Sequence, residues 1–235
     1  DLYRAGAGAP LIMMIHGGSW AGGDSKQLVS FDHALVARGF SVAAINYRLA
    51  PAHPFPAAFE DCEAALRWLH AELKPERVIV MGRSAGGHLA LATAYRNPDL
   101  VAGVVSLYGP TDLVWSWHNP ANPLVLDSFK TLGDFLGGTL EARSEVFAAA
   151  SPINFVASVP TLLVHGGRDE LVSDRHAERL VEVLRAKAVP HTYLHLPWAT
   201  HAFDAHPGGP GAQLTLQALD GWVAGLTGAR RAPAP

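Results

Sequence analysis

The sequence predicts an α/β fold in which a mostly parallel, open sheet carries helices on both faces. Short apolar segments alternate along the chain with longer segments of helical periodicity, a pattern that is typical of βαβ units. Several of the short segments are apolar throughout, as in strands that are buried on both faces of a sheet. A single domain is the expected organisation for a chain of 235 residues.

The alternation assigns the elements in chain order. Strands are predicted over Leu11–Ile15, Ser41–Tyr47, Arg77–Met81, Val101–Leu107, Thr161–His165 and His191–Leu196. Helices are predicted over Ser25–Arg38, Ala57–Leu73, Gly86–Tyr95, Arg143–Ala149, Asp174–Ala188 and Ala212–Leu226.

The regular alternation stops between residues 108 and 150, a stretch that contains Trp115, Trp117 and several glycines and prolines. It is too long for an ordinary connection. We therefore predict an insertion or partial cap over the C-terminal edge of the sheet, where open α/β sheets bind ligands. Residues 1–228 are predicted to form the domain, and residues 229–235 a flexible tail.

Composition excludes several classes of protein. A hydrophobic content of 49% and a charged content of 17% describe a compact globule rather than a disordered chain. The net charge of −3 argues against a nucleic-acid partner. No apolar run is long enough to span a membrane, so no membrane partner is expected. The single cysteine, Cys62, allows neither an internal disulfide nor a thiolate metal site. We therefore expect a cytoplasmic location. The sequence leaves the oligomeric state open.

The most informative motif is Gly82-Arg83-Ser84-Ala85-Gly86, a G-x-S-x-G sequence that follows a predicted strand and opens a predicted helix. That context is the one a nucleophile elbow requires. The tight turn lifts the serine hydroxyl clear of the sheet and sets it at a helix N-terminus, where free N–H groups favour negative charge. Ser84 is therefore the candidate nucleophile.

A nucleophilic serine needs a base and a group that orients the base. Asp169 follows the strand Thr161–His165, so its carboxylate is expected at the same edge of the sheet as Ser84. The alternatives for the acid are Glu170 and Asp174, of which Asp174 is better explained as a helix N-cap. His201 follows the last predicted strand and is the candidate base, with His206 as the nearby alternative; His191 and His195 share a strand face and are expected to pack or to lie at the surface.

Donors for an oxyanion are expected after the first predicted strand, where His16-Gly17-Gly18-Ser19-Trp20 begins. Two glycines let the backbone approach an anion closely. We predict that the N–H groups of Gly17, Gly18 and Ala85 form the oxyanion hole. His16 is expected to brace the loop rather than to titrate in catalysis.

Taken together, these motifs resemble the hormone-sensitive-lipase-type carboxylesterases of the α/β-hydrolase superfamily. The likeness runs from about Asp1 to Leu226. The chain order Ser84, Asp169, His201 is that of the superfamily. The blocks that carry the likeness are His16–Trp20, Asn46–Pro51, Gly82–Gly87, His165–Asp169 and His201–Phe203. The resemblance implies an α/β-hydrolase catalytic domain, an acyl-enzyme mechanism and no metal or organic cofactor. In the Asn46–Pro51 block, Arg48 is expected to pair with Glu60 or Asp61.

The chain departs from that family in two places. Arg83 precedes the nucleophile where such esterases often carry Asp, which changes the local charge. The cap helices and two strands that usually precede the first predicted strand are almost absent, and Asp1–Arg4 is expected to be the remnant of one such strand.

The expected function is hydrolysis of short-chain carboxylic esters, with a small-molecule ester as the partner. The His-Gly-Gly-x-Trp motif is also similar to kynurenine formamidases and small acetyl esterases, so an arylformamidase or acetyl esterase activity is the alternative. A non-catalytic binding protein of this fold is the remaining alternative, and it predicts no labelling by a fluorophosphonate. Trp20, Trp115 and Trp198 are the candidate substrate-binding residues, and we expect acyl chains of about eight carbons or fewer.

Overall fold

A seven-stranded sheet organises the residues that the computed structural model describes, 1–76 and 78–227. Its strands are β1 (Leu2–Tyr3), β2 (Leu11–Ile15), β3 (Ser41–Ile45), β4 (Val78–Arg83), β5 (Gly103–Leu107), β6 (Thr161–Gly166) and β7 (His191–Leu196). Their order in the sheet is β1-β3-β2-β4-β5-β6-β7. Strand β1 pairs with β3 antiparallel, and every other pairing is parallel. The carboxyl ends of β2 to β7 therefore meet at one edge of the sheet.

The six strands predicted from sequence are confirmed, with small differences at their ends. β3 ends at Ile45 rather than Tyr47, and β4 continues to Arg83, directly before the candidate nucleophile. The expected strand remnant at the N-terminus is β1. Arg77, where the third strand was predicted to begin, and the predicted tail at residues 229–235 lie outside the described residues.

Eight α-helices connect or follow the strands within the described residues: α1 (Val29–Ala37), α2 (Ala57–Leu73), α3 (Ala85–Arg96), α4 (Leu113–His118), α5 (Ser128–Leu136), α6 (Leu140–Ala150), α7 (Arg175–Ala186) and α8 (Pro210–Thr227). Short 3₁₀ helices cover Pro98–Leu100 and Pro152–Phe155. The first helix begins at Val29, four residues after the predicted Ser25, because the Ser25 N–H donates to the Asn46 side chain and holds this segment as a loop.

The core has two apolar layers, one on each face of the sheet. Along β2, Met13 packs in a cluster with residues of α2, α3 and α7. Its neighbour Met14 packs in a second cluster with residues of α1 and α8. Successive side chains of a strand point to opposite faces, so the prediction of helices on both faces is confirmed. Of the described helices, none has the length and apolar character that a membrane span requires.

The insertion between residues 108 and 150 contains three helices, α4, α5 and α6, of which sequence analysis predicted only part of the last. The two that were missed are short and begin at side-chain caps. The Trp115 N–H donates to Asp112, and the Lys130 N–H donates to Asp127. The Phe135 ring of α5 stacks on Trp20 at a centroid distance of 4.4 Å, which brings the insertion to the edge where the strands end.

Candidate active site

Ser84 stands on a sharp turn between β4 and α3, with φ +52° and ψ −122°. The flanking glycines make this turn possible. A Cβ atom at Gly82 would lie 2.1 Å from the Gly86 carbonyl oxygen, and one at Gly86 would lie 2.2 Å from the Ile15 carbonyl oxygen. Only glycine avoids these collisions, so the G-x-S-x-G spacing is a steric requirement of the turn.

Three side chains from separate loops form one hydrogen-bonded row. The Ser84 Oγ lies 3.0 Å from His201 Nε2, and His201 Nδ1 lies 2.7 Å from Asp169 Oδ2. Ser84 follows β4, Asp169 follows β6 and His201 follows β7, so the sheet edge brings together residues that are far apart in sequence. Because a carboxylate oxygen only accepts, Nδ1 carries the proton and Nε2 is left to accept from the serine hydroxyl.

The Asp169 carboxylate is buried and firmly held. Its Oδ1 accepts from the N–H groups of Leu171 and Val172, both at 2.9 Å. Burial acts to raise the pKa of Asp169, but the neighbouring His165 ring and the hydrogen bond from His201 outweigh it and hold that pKa well below its ordinary value. Asp169 is therefore ionised at neutral pH.

Of the alternative acids, Glu170 lines the cavity beside Ser84, but the carboxylate that accepts from His201 is that of Asp169. Asp174 immediately precedes α7 but makes no side-chain cap, which corrects its interpretation as an N-cap; its Oδ2 instead pairs with His195 Nε2 at 3.1 Å. His206 is exposed, and the ring of His191 bonds to the Val189 carbonyl. The structure thus brings His201, and neither of these histidines, to Ser84.

The loop after β2 differs from its prediction at Gly17. The Gly17 N–H donates to Gln27 Oε1 at 3.0 Å, so it is not a free donor for an oxyanion. Sequence reasoning missed this partner because Gln27 lies ten residues away in an irregular segment. Ser19, which was not predicted, lines the cavity beside Ser84 and Ala85. Ala85 is the first residue of α3, where an N–H has no partner within the helix.

His16 braces this loop, as its sequence position suggested. Its Nδ1 donates to the Gly17 carbonyl at 2.8 Å, and its ring stacks on Tyr47 at 4.3 Å. The Tyr47 hydroxyl in turn donates to the His16 carbonyl. Burial lowers the pKa of His16. A neutral imidazole therefore fixes the start of the loop. Nearby, Arg48 binds both predicted partners, Glu60 and Asp61.

A cavity of about 370 Å³ opens at Ser84. Trp20 and Trp115 line it, as predicted, together with other residues of the insertion and of the loop after β6. Trp198 does not line this cavity, and 46% of its surface is exposed. Its prediction as a substrate-binding residue is corrected by this placement, because the turn after β7 points it to solvent while His201, three residues on, turns inward.

A second serine–histidine pair lines the same cavity. The Ser116 Oγ lies 3.0 Å from His176 Nε2. The Thr111 N–H donates to His176 Nδ1, so Nε2 carries the proton and donates to Ser116. Burial lowers the pKa of His176 to about 3. This histidine cannot accept a proton from Ser116, and the pair therefore lacks the chemistry of the Ser84 row.

Fold and site together define a protein of the α/β-hydrolase fold with a serine–histidine–aspartate row at the sheet edge. A family model described as BD-FAE matches residues 3–184, and the chain belongs to this family. It is 33% identical over 223 residues to Esterase LipC of Mycobacterium tuberculosis, an alignment that covers 83% of this chain and 53% of LipC. It is 29% identical over 211 residues to the kynurenine formamidase of Meyerozyma guilliermondii, covering 80% of this chain and 77% of that protein.

Solved structures agree with the fold. The chain superposes on the crystal structure of an esterase/lipase from an uncultured bacterium with a TM-score of 0.75 and 26% identity, over 94% of this chain and 78% of that one. The predicted resemblance to α/β-hydrolase esterases is confirmed. The chain spans about half the length of the first curated relatives, 53% of LipC and 51% of the probable carboxylic ester hydrolase LipM.

Proposed function

We propose that this protein is a serine carboxylesterase that hydrolyses short-chain carboxylic esters. The observation that carries the proposal is the unbroken row from Ser84 Oγ through His201 to Asp169, with contacts of 3.0 and 2.7 Å. Both distances are within the hydrogen-bond reach that a nucleophile and its base need. Relatives named as esterases, such as LipC, support the same reaction class.

The proposed mechanism assigns one role to each group. Ser84 attacks the ester carbonyl while His201 Nε2 takes the hydroxyl proton, and Asp169 stabilises the resulting imidazolium. The N–H groups of Gly18, Ser19 and Ala85 donate to the tetrahedral oxyanion, with Ser19 replacing Gly17 as a donor. His201 then protonates the leaving alcohol, and water releases the acyl group by the same steps. Loss of one such donor raises the barrier by about 3–4 kcal/mol.

The size of the cavity supports a small acyl group. A volume of about 370 Å³ lies near the lower end of the range for small-molecule sites, roughly 300–1,000 Å³. The Trp20 ring closes one side, where it stacks on Phe135 and donates from Nε1 to His88. We therefore propose acyl chains of about eight carbons or fewer as substrates.

The proposal is tested with p-nitrophenyl butyrate and the variants Ser84→Ala and Ser116→Ala. We expect Ser84→Ala to lower kcat by about 10⁴-fold or more, because a triad enzyme without its nucleophile retains little chemistry. Ser116→Ala is the matched control, since it removes a serine that also faces a histidine, and it should change kcat by less than about tenfold. Equal activity in the wild type and Ser84→Ala would overturn the assignment. Absence of fluorophosphonate labelling at Ser84 would favour a binding protein.

A formamidase is the second candidate. It is favoured by the similarity to a kynurenine formamidase over 77% of that protein's length. The same row of side chains would cleave an N-formyl amide, but His201 would have to protonate a poorer leaving group. Comparison of kcat/KM for N-formylkynurenine and for p-nitrophenyl acetate separates the two. A higher value for the amide would replace the esterase proposal with this one.

A further inference from the structure

A buried ion pair joins the nucleophile elbow to the loop that carries His201. Arg83 is the last residue of β4 and directly precedes Ser84, and its Nε donates to Asp204 Oδ2 at 2.5 Å. Asp204 lies three residues after His201 and 121 residues after Arg83. The two side chains are 4% and 0% exposed. The pair therefore links the turn that carries Ser84 to the loop that carries His201.

Tyr108 connects this pair to the imidazole itself. It follows β5, and its hydroxyl donates to Asp204 Oδ1, so both oxygens of the carboxylate are held by fixed donors. Its ring packs against the His201 ring at an interplanar angle of 62°, with the centroids 4.5 Å apart. A change in the orientation of Asp204 or Tyr108 would thus be transmitted to His201.

The backbone around this cluster is strained. Tyr108 has φ +41° and Ala202, the residue after His201, has φ +57°. Non-glycine residues adopt such angles only where the surrounding structure compels them. Asp204 lies on the same loop as Ala202, and its hydrogen bonds anchor that loop to Arg83 and Tyr108.

A contribution to folding stability does not explain why this ion pair is buried. Removing two charges from water offsets most of the attraction between them, so a buried ion pair adds little to folding compared with apolar residues of the same size. We propose that the Arg83–Asp204 pair, together with Tyr108, is a positioning unit that holds the His201 imidazole between Ser84 and Asp169. This inference rests on the proposed hydrolase function.

The test compares Asp204→Asn, Arg83→Met and the double variant on p-nitrophenyl butyrate. Asn keeps an acceptor for the Tyr108 hydroxyl, and Met keeps much of the arginine volume. We expect kcat to fall at least about tenfold in each single variant, with KM changed less than about twofold, because a misplaced base weakens the transition state more than the ground state. The double variant should be more thermally stable than Arg83→Met alone, since it does not leave Asp204 as a lone buried charge, but its kcat should stay low. Recovery of kcat together with stability would contradict the positioning role.

Asp220→Asn is the matched control. It breaks the Arg38–Asp220 ion pair, which also joins distant segments at 2.5 Å. Arg38 lies shortly before β3, at the sheet edge opposite to the one where Ser84 lies. We expect kcat in this variant to stay within about twofold of the wild type. Tyr108→Phe, which removes only a hydroxyl, is the milder variant if Asp204→Asn fails to fold, and it too should lower kcat without raising KM.

A second readout does not depend on hydrolysis. The NMR signal of the His201 Nδ1 proton, which lies in the hydrogen bond to Asp169, is compared between the wild type and Arg83→Met. We expect this signal to shift or broaden in the variant, because a displaced imidazole weakens that hydrogen bond. An unchanged signal would contradict the positioning role. A wild type without Ser84-dependent hydrolysis would contradict the proposed function, while this measurement still decides the role of Arg83 and Asp204.

Discussion

His201 Nδ1 lies 2.7 Å from Oδ2 of Asp169, whose side chain is fully buried. Around that contact the N–H groups of Leu171 and Val172 donate to Oδ1 of the same carboxylate. The His165 ring, whose Nε2 donates to the Val172 carbonyl, lies 3.6 Å from Oδ2. Their combined effect is to keep the carboxylate ionised, because each stabilises its charged form. An imidazolium that forms at His201 therefore always meets a full negative charge.

The first prediction is that Asp169→Asn lowers kcat for p-nitrophenyl butyrate by about 10⁴-fold, because the amide can hold His201 in the wrong tautomer. KM should change little, since Asp169 acts on the proton transfer and not on ester binding. Steady-state kinetics check this prediction. Asp174→Asn is the control, because Asp174 also pairs with a histidine, His195, but not with His201. Similar losses in both variants would refute the role given to Asp169.

A pH effect on stability follows from the same carboxylate. The pKa of Asp169 is held below its unfolded value, which is about 3.9. Its stabilising contribution is therefore complete above that value and is lost as pH falls toward the folded-state pKa. We expect the difference in unfolding free energy between the wild type and Asp169→Asn to shrink below about pH 4, as measured by urea unfolding. A difference that grows with acidity would contradict this account.

The third prediction concerns Gln27, whose Oε1 accepts from the Gly17 N–H. Gln27→Leu has a similar shape but no acceptor, so the loop that leads to Gly18 and Ser19 loses a fixed point. We expect kcat to fall by about 10- to 100-fold through displaced oxyanion donors. Gln27→Glu retains the acceptor and is the control, with the smaller loss. An unchanged kcat in Gln27→Leu would mean that the loop is held by its other contacts alone.

The sequence predicted those parts of the site that obey local rules. The elbow at Ser84 could be predicted because the turn excludes side chains at Gly82 and Gly86. The central strands could be predicted because buried parallel strands are continuously apolar, although their ends shifted by a few residues. The Gly17–Gln27 and Arg83–Asp204 contacts could not be predicted. Each depends on how irregular segments meet in three dimensions, and no periodicity in the sequence marks them. The short helices α4 and α5 were missed for a similar reason, since their caps are single side chains within a loop-like composition.

The fourth prediction compares two tryptophans, one that lines the cavity and one that does not. Trp115 lines the cavity, where its ring contacts His176 edge-on, whereas Trp198 lies outside it. Trp115→Ala should raise kcat/KM for p-nitrophenyl decanoate relative to butyrate by about tenfold or more, because it opens space for further methylenes. Trp198→Ala should leave that ratio unchanged. A shift produced by Trp198→Ala instead would place the acyl group on the other side of Ser84.

The last prediction concerns His88, a buried histidine of α3. Its Nδ1 accepts from Trp20 Nε1, and its Nε2 donates to the Ala150 carbonyl, which ties the loop after β2 to the end of the insertion. Burial lowers the pKa of His88 to about 4. In the unfolded chain His88 becomes protonated as pH falls through about 6.5. In the folded protein it stays neutral until pH falls to about 4. The stability that His88 contributes is thus complete above pH 6.5 and declines as pH falls through that window.

Replacing His88 by Gln removes this titration while retaining an acceptor for Trp20. We expect the loss of unfolding free energy between pH 7 and pH 4 to be smaller in His88→Gln than in the wild type, by up to about 3 kcal/mol. His53→Gln, at an exposed position, is the control and should follow the wild-type curve. Urea unfolding at several pH values measures the effect. Parallel curves for His88→Gln and the wild type would contradict this account, because they would mean that folding does not lower the pKa of His88.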